Sequence, residues 1–314
     1  MEKIATRDAY GKALKALGGE HADVVVLDAD LTKSTKTVDF AKAYPERFYN
    51  MGIAEQNMIA AAAGLATTGK VVFASSFAIF AVGRSYEIVR NAVAYARVNV
   101  KIAATHAGLT VGEDGGSHQS IEDIAIMRVL PNMKVIVPAD AVTAEWAVKA
   151  AYETPGPVYL RLGRPSVPVI YEAGRKFELG KANLLREGTD VGIVACGMMV
   201  WEALQAADLL AEKGISAAVL DMHTIKPLDT EALEALARKT GCLVTAEEHS
   251  VIGGLGSAVA EAVSGTFPVL VTRLGVDDTF GQSGTPDELL RHYGLTAAHL
   301  AEIAEITIAR KAKK

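Results

Sequence analysis

Short, largely apolar runs recur along this chain, each separated from the next by a longer stretch with helical spacing, and this alternation restricts the fold more than any other feature. Val24 to Leu27, Val71 to Ala74, Val98 to Ala103, Val135 to Val137 and Val158 to Leu162 lack the in-out alternation of a strand with one wet face. Strands covered on both faces are the mark of parallel sheets flanked by helices, so the chain reads as α/β. Between them, Thr6 to Leu17 reads as a helix that begins at a cap and stops at Gly18-Gly19, and Glu55 to Ala66 as an alanine-rich helix closed near Gly69. From about Pro165 to Gly188, prolines, glycines and charges interrupt the rhythm. A second α/β series follows, with Val191 to Cys196, Ala217 to Leu220 and Leu243 to Ala246 as strands and Trp201 to Lys213 as a helix. The sequence thus predicts two consecutive domains, each a mostly parallel sheet flanked by helices, over residues 1–175 and 189–314, joined by a linker at 176–188.

With 314 residues, half of them apolar, there is material for two cores. The net charge of −5 comes from acids and bases spread along the whole chain, which argues against a nucleic-acid partner. Only Arg310 to Lys314 form a basic run, expected to be a solvated tail. No uncharged apolar stretch approaches the roughly 18 residues of a membrane span, and Glu2, Arg7 and Asp8 stand where a signal peptide would be apolar. A cytoplasmic protein is expected. Cys196 and Cys242 lie in apolar runs without metal-site spacing and read as buried thiols.

Two segments carry chemistry. Gly52-Ile53-Ala54-Glu55-Gln56-Asn57 sets a carboxylate at a helix start among apolar neighbours; favourable interaction with the helix dipole is its simplest explanation. Thr105 to Gln119 then packs His106, His118, Glu113, Asp114 and four glycines into a stretch after a strand, where open α/β sheets place ligands. An ordinary polar loop does not need two imidazoles. Gly253-Gly254-Leu255-Gly256 lacks the full spacing of a dinucleotide site and reads as a strand-to-helix turn.

Taken together and in this order, the segments around Glu55 and His118 resemble the pyrimidine-binding domain of the transketolase family. Asp221 to Asp229 and Glu247 to Gly256 are similar to that family's C-terminal domain, so the likeness covers essentially the whole chain. It implies that Glu55 hydrogen-bonds the aminopyrimidine of thiamine diphosphate and favours its imino form, whose nitrogen deprotonates the thiazolium; a carboxylic acid among apolar groups suits that task. By the same likeness Phe77 and Phe80 line the pyrimidine pocket, with Phe80 the stacking ring, and Ile53 props the cofactor. Asp30 lies near the cofactor. Ser34, His106 and Arg164 contact a sugar phosphate, for which the planar fork of an arginine is well shaped. Asp114 recognises a donor hydroxyl, and His118 lies beside the reacting carbon. Phe77 and Phe80 could equally fill a core, Asp30 and Ser34 a capped turn, and Arg161 a structural ion pair. The segment from Phe80 to Arg84 does not align cleanly with the family, and Arg84 receives no role.

Family members hold the cofactor's diphosphate through Mg²⁺ on a further N-terminal domain with a Gly-Asp-Gly motif, which has no counterpart here. The resemblance therefore implies a partner subunit that supplies the metal ligands, none of which is assigned to this chain, in a two-plus-two assembly. The implied reaction is transfer of a two-carbon ketol unit from a ketose phosphate to an aldose phosphate. A synthase condensing pyruvate with glyceraldehyde 3-phosphate to 1-deoxyxylulose 5-phosphate is the near alternative. The β subunit of a 2-oxo acid dehydrogenase is more distant, and a non-catalytic protein keeping the fold is opposed by the presence of Glu55 and both histidines.

Overall fold

In the computed structural model, which describes residues 1–311, the apolar runs form the centres of two sheets. The larger has seven strands in the order Thr224–Lys226, Lys134–Ile136, Val158–Arg161, Val100–Thr105, Val71–Phe77, Val24–Asp28 and Phe48–Asn50. All neighbours are parallel except the first pair. Val24–Asp28, Val71–Phe77 and Val100–Thr105 are buried at every residue, which is why they do not alternate. One face is covered by helices Thr6–Glu20 and Ala141–Glu153, through Tyr10, Leu14 and Val148. The other is covered by Glu55–Ala66 and the helical segment beyond Phe77, through Met58, Ile59, Val82 and Val89.

The second sheet runs Leu270–Val276, Cys242–Ser250, Val191–Ala195, Ala217–Asp221 and Asn183–Arg186, and only the last pair is antiparallel. The expectation of a plain linker over 176–188 is therefore corrected. Asn183–Arg186 closes the edge of the second sheet, because its extended backbone finds unpaired partners on Ala217–Asp221. The division after residue 175 is also crossed from the other side: Thr224–Lys226, far along the second half, pairs with Lys134–Ile136 of the first sheet. One apolar core spans the two halves, with Met127 and Val135 in the same cluster as Val194, Leu220 and Leu255.

The first helix does not stop at Gly18-Gly19 but continues to Glu20. Thr6 is its first residue rather than its cap, and the Thr6 hydroxyl instead accepts the Gly163 N–H at 2.9 Å. The glycines serve packing here. A Cβ on Gly18 would lie 2.4 Å from Phe40 Cε2 and 2.8 Å from Tyr44 Cε2. Gly253 and Gly254 form the expected turn between Cys242–Ser250 and the helix Leu255–Gly265. Both cysteines are buried. Of the terminal basic run, Arg310 and Lys311 end the helix Ala297–Lys311, and Lys311 Nζ donates to the carbonyls of Asp190 and Thr240, so this part is not a loose tail. Residues 312–314 lie outside the described residues. No described helix is long and apolar enough to cross a membrane.

Alanine is the better helix former by about 1 kcal/mol, but overpacking a filled interior costs about 1–3 kcal/mol. Gly18→Ala is thus expected to lower the unfolding free energy, measured by denaturant titration; a stabilised variant would contradict the close approach of Phe40 and Tyr44.

Candidate active site

Parallel strands that are neighbours in the sheet deliver their following loops to one edge, and the residues singled out in the sequence lie on those loops. Phe77 ends its strand in register with Thr105, so His106, the next residue, comes beside it. The two rings stack with centroids 3.7 Å apart. Phe80 lies 6.2 Å from Phe77, nearly parallel to it, and the His118 ring meets Phe80 edge-on at 5.2 Å. Four rings from two loops thus form one wall.

Glu55 opens the helix Glu55–Ala66 and is only 1% exposed. Its Oε2 accepts from Arg84 at 2.7 Å, whereas Oε1 has only a 3.4 Å contact with the Ser76 hydroxyl. The Arg84 guanidinium also lies 4.6 Å over the Phe80 ring, so it joins the buried carboxylate to the aromatic wall. Arg84 was not assigned from sequence, and the structure shows why the register failed there. Ile79–Arg84 is a π-helix. Its wider turn accommodates an extra residue, a device frequent at functional sites, and places Arg84 beside Glu55.

Cations gather around His106. Arg7 donates to the Ser34 carbonyl at 2.9 Å and lies 3.3 Å from His106 Nε2. A guanidinium only donates, so Nε2 must be the acceptor. The proton is then on Nδ1, which faces the Thr105 hydroxyl at 2.9 Å. Burial, followed by the charges of Arg7, Arg164, His118 and Lys36, lowers the His106 pKa to about 3. The turn carrying Ser34 and Lys36 is built on Asp28, whose buried carboxylate accepts from the Leu31 N–H and the Thr35 and Thr37 hydroxyls. Burial raises its pKa despite those donors. Arg7 was overlooked in sequence. It had a signal: a cation in a helix's first turn opposes the dipole and calls for another reason to be there.

The other expected residues make contacts of their own. Asp30 exchanges hydrogen bonds with Asn50, the Asp30 N–H at 3.1 Å and the Asn50 amide at 3.2 Å. Ser34 enters through its carbonyl. Arg164 donates to the Val111 carbonyl and, at 2.9 Å, to Glu113. Asp114 is exposed, and Ile53, 78% exposed, presents a free apolar side chain rather than supporting anything within the chain. Arg161 forms the structural ion pair considered for it, with Asp123.

Fold and site together define an α/β protein with a half-open ligand edge, where a buried acid, aromatic rings and a cationic cluster meet. The transketolase pyrimidine binding domain family matches residues 2–169, and the transketolase C-terminal domain family matches residues 180–300. The chain belongs to the transketolase family. It is 52% identical over 299 residues to a protein of Methanocaldococcus jannaschii named as a transketolase C-terminal section, covering 94% of each. It is 45% identical to a 6-deoxy-6-sulfo-D-fructose transketolase subunit of Clostridium sp. (strain MSTE9), covering 99% of this chain and 97% of that one. A solved split gene transketolase, described as an inactive β4 tetramer, superposes with a TM-score of 0.92 at 57% identity, over 98% of this chain and 99% of that one.

His106 is expected to stay neutral in the folded protein, protonated on Nδ1, and to titrate near pH 3, as read from its imidazole NMR signals. Unfolding then takes up a proton, so this residue's contribution to stability is full above about pH 6.5 and is lost as pH falls toward the folded value. Arg7→Met should move the midpoint upward while burial keeps it below the ordinary range. A wild-type midpoint above 6 would contradict the tautomer and cation arrangement.

Proposed function

We propose that this chain is the C-terminal subunit of a two-chain transketolase, transferring a two-carbon ketol unit between sugar phosphates with thiamine diphosphate. The observation that carries the proposal is the buried Glu55 carboxyl, charge-paired on one oxygen and nearly free on the other, joined through Arg84 to the Phe77–Phe80 wall. Such a set fits an aminopyrimidine. The less occupied oxygen can share a proton with a ring nitrogen, and a flat apolar ring can stack on Phe80.

Thiamine diphosphate, when bound, supplies the carbanion-stabilising centre that ketol transfer needs. Glu55 holds the proton shared with the pyrimidine, Arg84 holds Glu55 in place, and Phe77 and Phe80 exclude water. Ile53 supports the cofactor, and Asp30 lies beside it. His118 and Asp114 face the reacting carbon and the donor hydroxyls. His106, Arg164 and Ser34, with Arg7 and Lys36 added by the structure, receive the terminal anion of the sugar. A neutral His106, its Nε2 accepting from Arg7 and its Nδ1 facing Thr105, orients Arg7 and leaves the guanidiniums to carry the charge. The same cations suit a sulfonate, the group in the name of the Clostridium relative.

We assign the Mg²⁺ ligands and the diphosphate site to an N-terminal partner subunit, in a two-plus-two complex. The self-association of the split relative as an inactive β4 tetramer supports that dependence. The relatives favour transketolase over the pyruvate-using synthase.

The test assays ketol transfer from xylulose 5-phosphate to ribose 5-phosphate with each subunit alone and with the two mixed, in Mg²⁺ and thiamine diphosphate. Transfer is expected only in the mixture. Glu55→Gln should reduce it by at least about 100-fold, as for loss of a proton-transfer group, without changing the mass of the complex. Transfer by this chain alone, or an unimpaired Glu55→Gln enzyme, would contradict the proposal.

A further inference from the structure

The loop carrying Asp114 and His118 is a chain of short turns rich in glycine. Gly108, Gly112 and Gly115 all have positive φ, at 83°, 90° and 75°, which leaves the free loop many conformations to lose. Asp114 is exposed, and His118 Nδ1 is bonded only to the adjacent Ser117 hydroxyl, at 2.9 Å. Besides its own turns and the Arg164 bonds to Val111 and Glu113, the loop is restrained from the second domain. Glu248, 4% exposed near the end of Cys242–Ser250, accepts the Thr110 N–H on Oε1 at 2.6 Å. Gly108 leaves room for that carboxylate: a Cβ there would be 2.3 Å from Glu248 Cδ. The main-chain carbonyl of Glu248 accepts from Arg161 at 2.9 Å, so the residue is itself tied to the first sheet. At the loop's other end Gln119 Nε2 donates to the Leu109 carbonyl at 2.9 Å and to the Gln282 carbonyl at 3.0 Å.

We propose that Glu248 is a positioning residue: reaching across the domain boundary, its carboxylate fixes residues 108–119 in the one conformation that presents Asp114 and His118 to the donor sugar. The catalytic consequence rests on the ketol-transfer reading; the structural coupling does not. The second domain thereby acts on the site without contributing a group to it.

The experiment is hydrogen–deuterium exchange by mass spectrometry on the full-length chain, comparing wild type with Glu248→Ala, Glu248→Gln and Glu248→Asp. Loss of a charge-accepted hydrogen bond predicts at least about tenfold faster exchange in peptides covering 108–119 for Glu248→Ala. Peptides covering 191–195 and 242–247 should stay as protected as in wild type. Gln keeps an acceptor and should restore the loop. Gly108→Ala crowds the carboxylate but also strains its own backbone at φ 83°, so Glu248→Asp, whose shorter side chain falls short of the Thr110 N–H and should deprotect the loop, decides the matter if Glu248→Ala does not fold. With the partner added, Glu248→Ala should lower kcat for the donor by a similar factor, with thiamine diphosphate affinity unchanged, and Gln should recover it. Unchanged loop exchange in both Glu248→Ala and Glu248→Asp, or exchange that rises throughout the chain, would overturn the proposal. If the loop responds as expected while the wild-type pair transfers no ketol unit, the positioning stands and the assigned reaction fails.

Discussion

Much of this structure hangs on the buried pair between Arg161 and Asp123. Arg161 Nε and a terminal nitrogen reach the two Asp123 oxygens at 2.7 and 3.2 Å, and the Tyr159 hydroxyl adds a third bond at 2.6 Å. The side chains are 6% and 0% exposed. Burial opposes ionisation of Asp123, but the guanidinium prevails and holds its pKa below the usual carboxylate range. Removing one member of such a pair typically costs about 3–5 kcal/mol, a large part of a domain's net stability. Position explains its importance. Arg161 ends a central strand, Asp123 starts the helix after the loop of residues 106–122, and the guanidinium also binds the Glu248 carbonyl of the second domain. One charge therefore registers sheet, loop and neighbouring domain together.

The central strands were legible because burial on both faces removes alternation, a property of composition alone. Glu55, His106 and His118 stood out as an acid at a helix start and two imidazoles in a glycine-rich stretch, and Phe77 and Phe80 only through the family resemblance. Parallel neighbouring strands bring these segments to one sheet edge. What escaped depended on contacts between distant segments. The helix running through Gly18-Gly19 needs knowledge of Phe40 and Tyr44. The strand inside 176–188 needs its partner at 217–221, and the Thr224–Lys226 crossover is invisible without the sheet edge it completes. Arg84 was hidden by a π-helical turn that breaks the periodicity on which sequence reading relies.

The site is a half-site in a physical sense. Its acid is buried, yet Arg84 beside it is 45% exposed, and Ile53 offers an apolar side chain to solvent. Such an edge gains by being covered. Arg84 pairs with Glu55, whereas Arg7, Arg164 and Lys36 surround a histidine kept neutral by burial. On the proposed reading, the recognition of a charged terminus and the handling of a proton would thus be divided between different groups. That division suits the proposed subunit, which would bind one end of a substrate and one ring of the cofactor and leave the diphosphate to a partner.

The central claim is that the buried Glu55 receives the pyrimidine. A crystal structure of this chain with its N-terminal partner, Mg²⁺ and thiamine diphosphate tests it most directly. The account predicts a pyrimidine nitrogen within about 3 Å of the Glu55 carboxyl, with the ring against Phe80 and the diphosphate held by the partner. A cofactor bound with its pyrimidine away from Glu55, or with its diphosphate held by this chain, would contradict it.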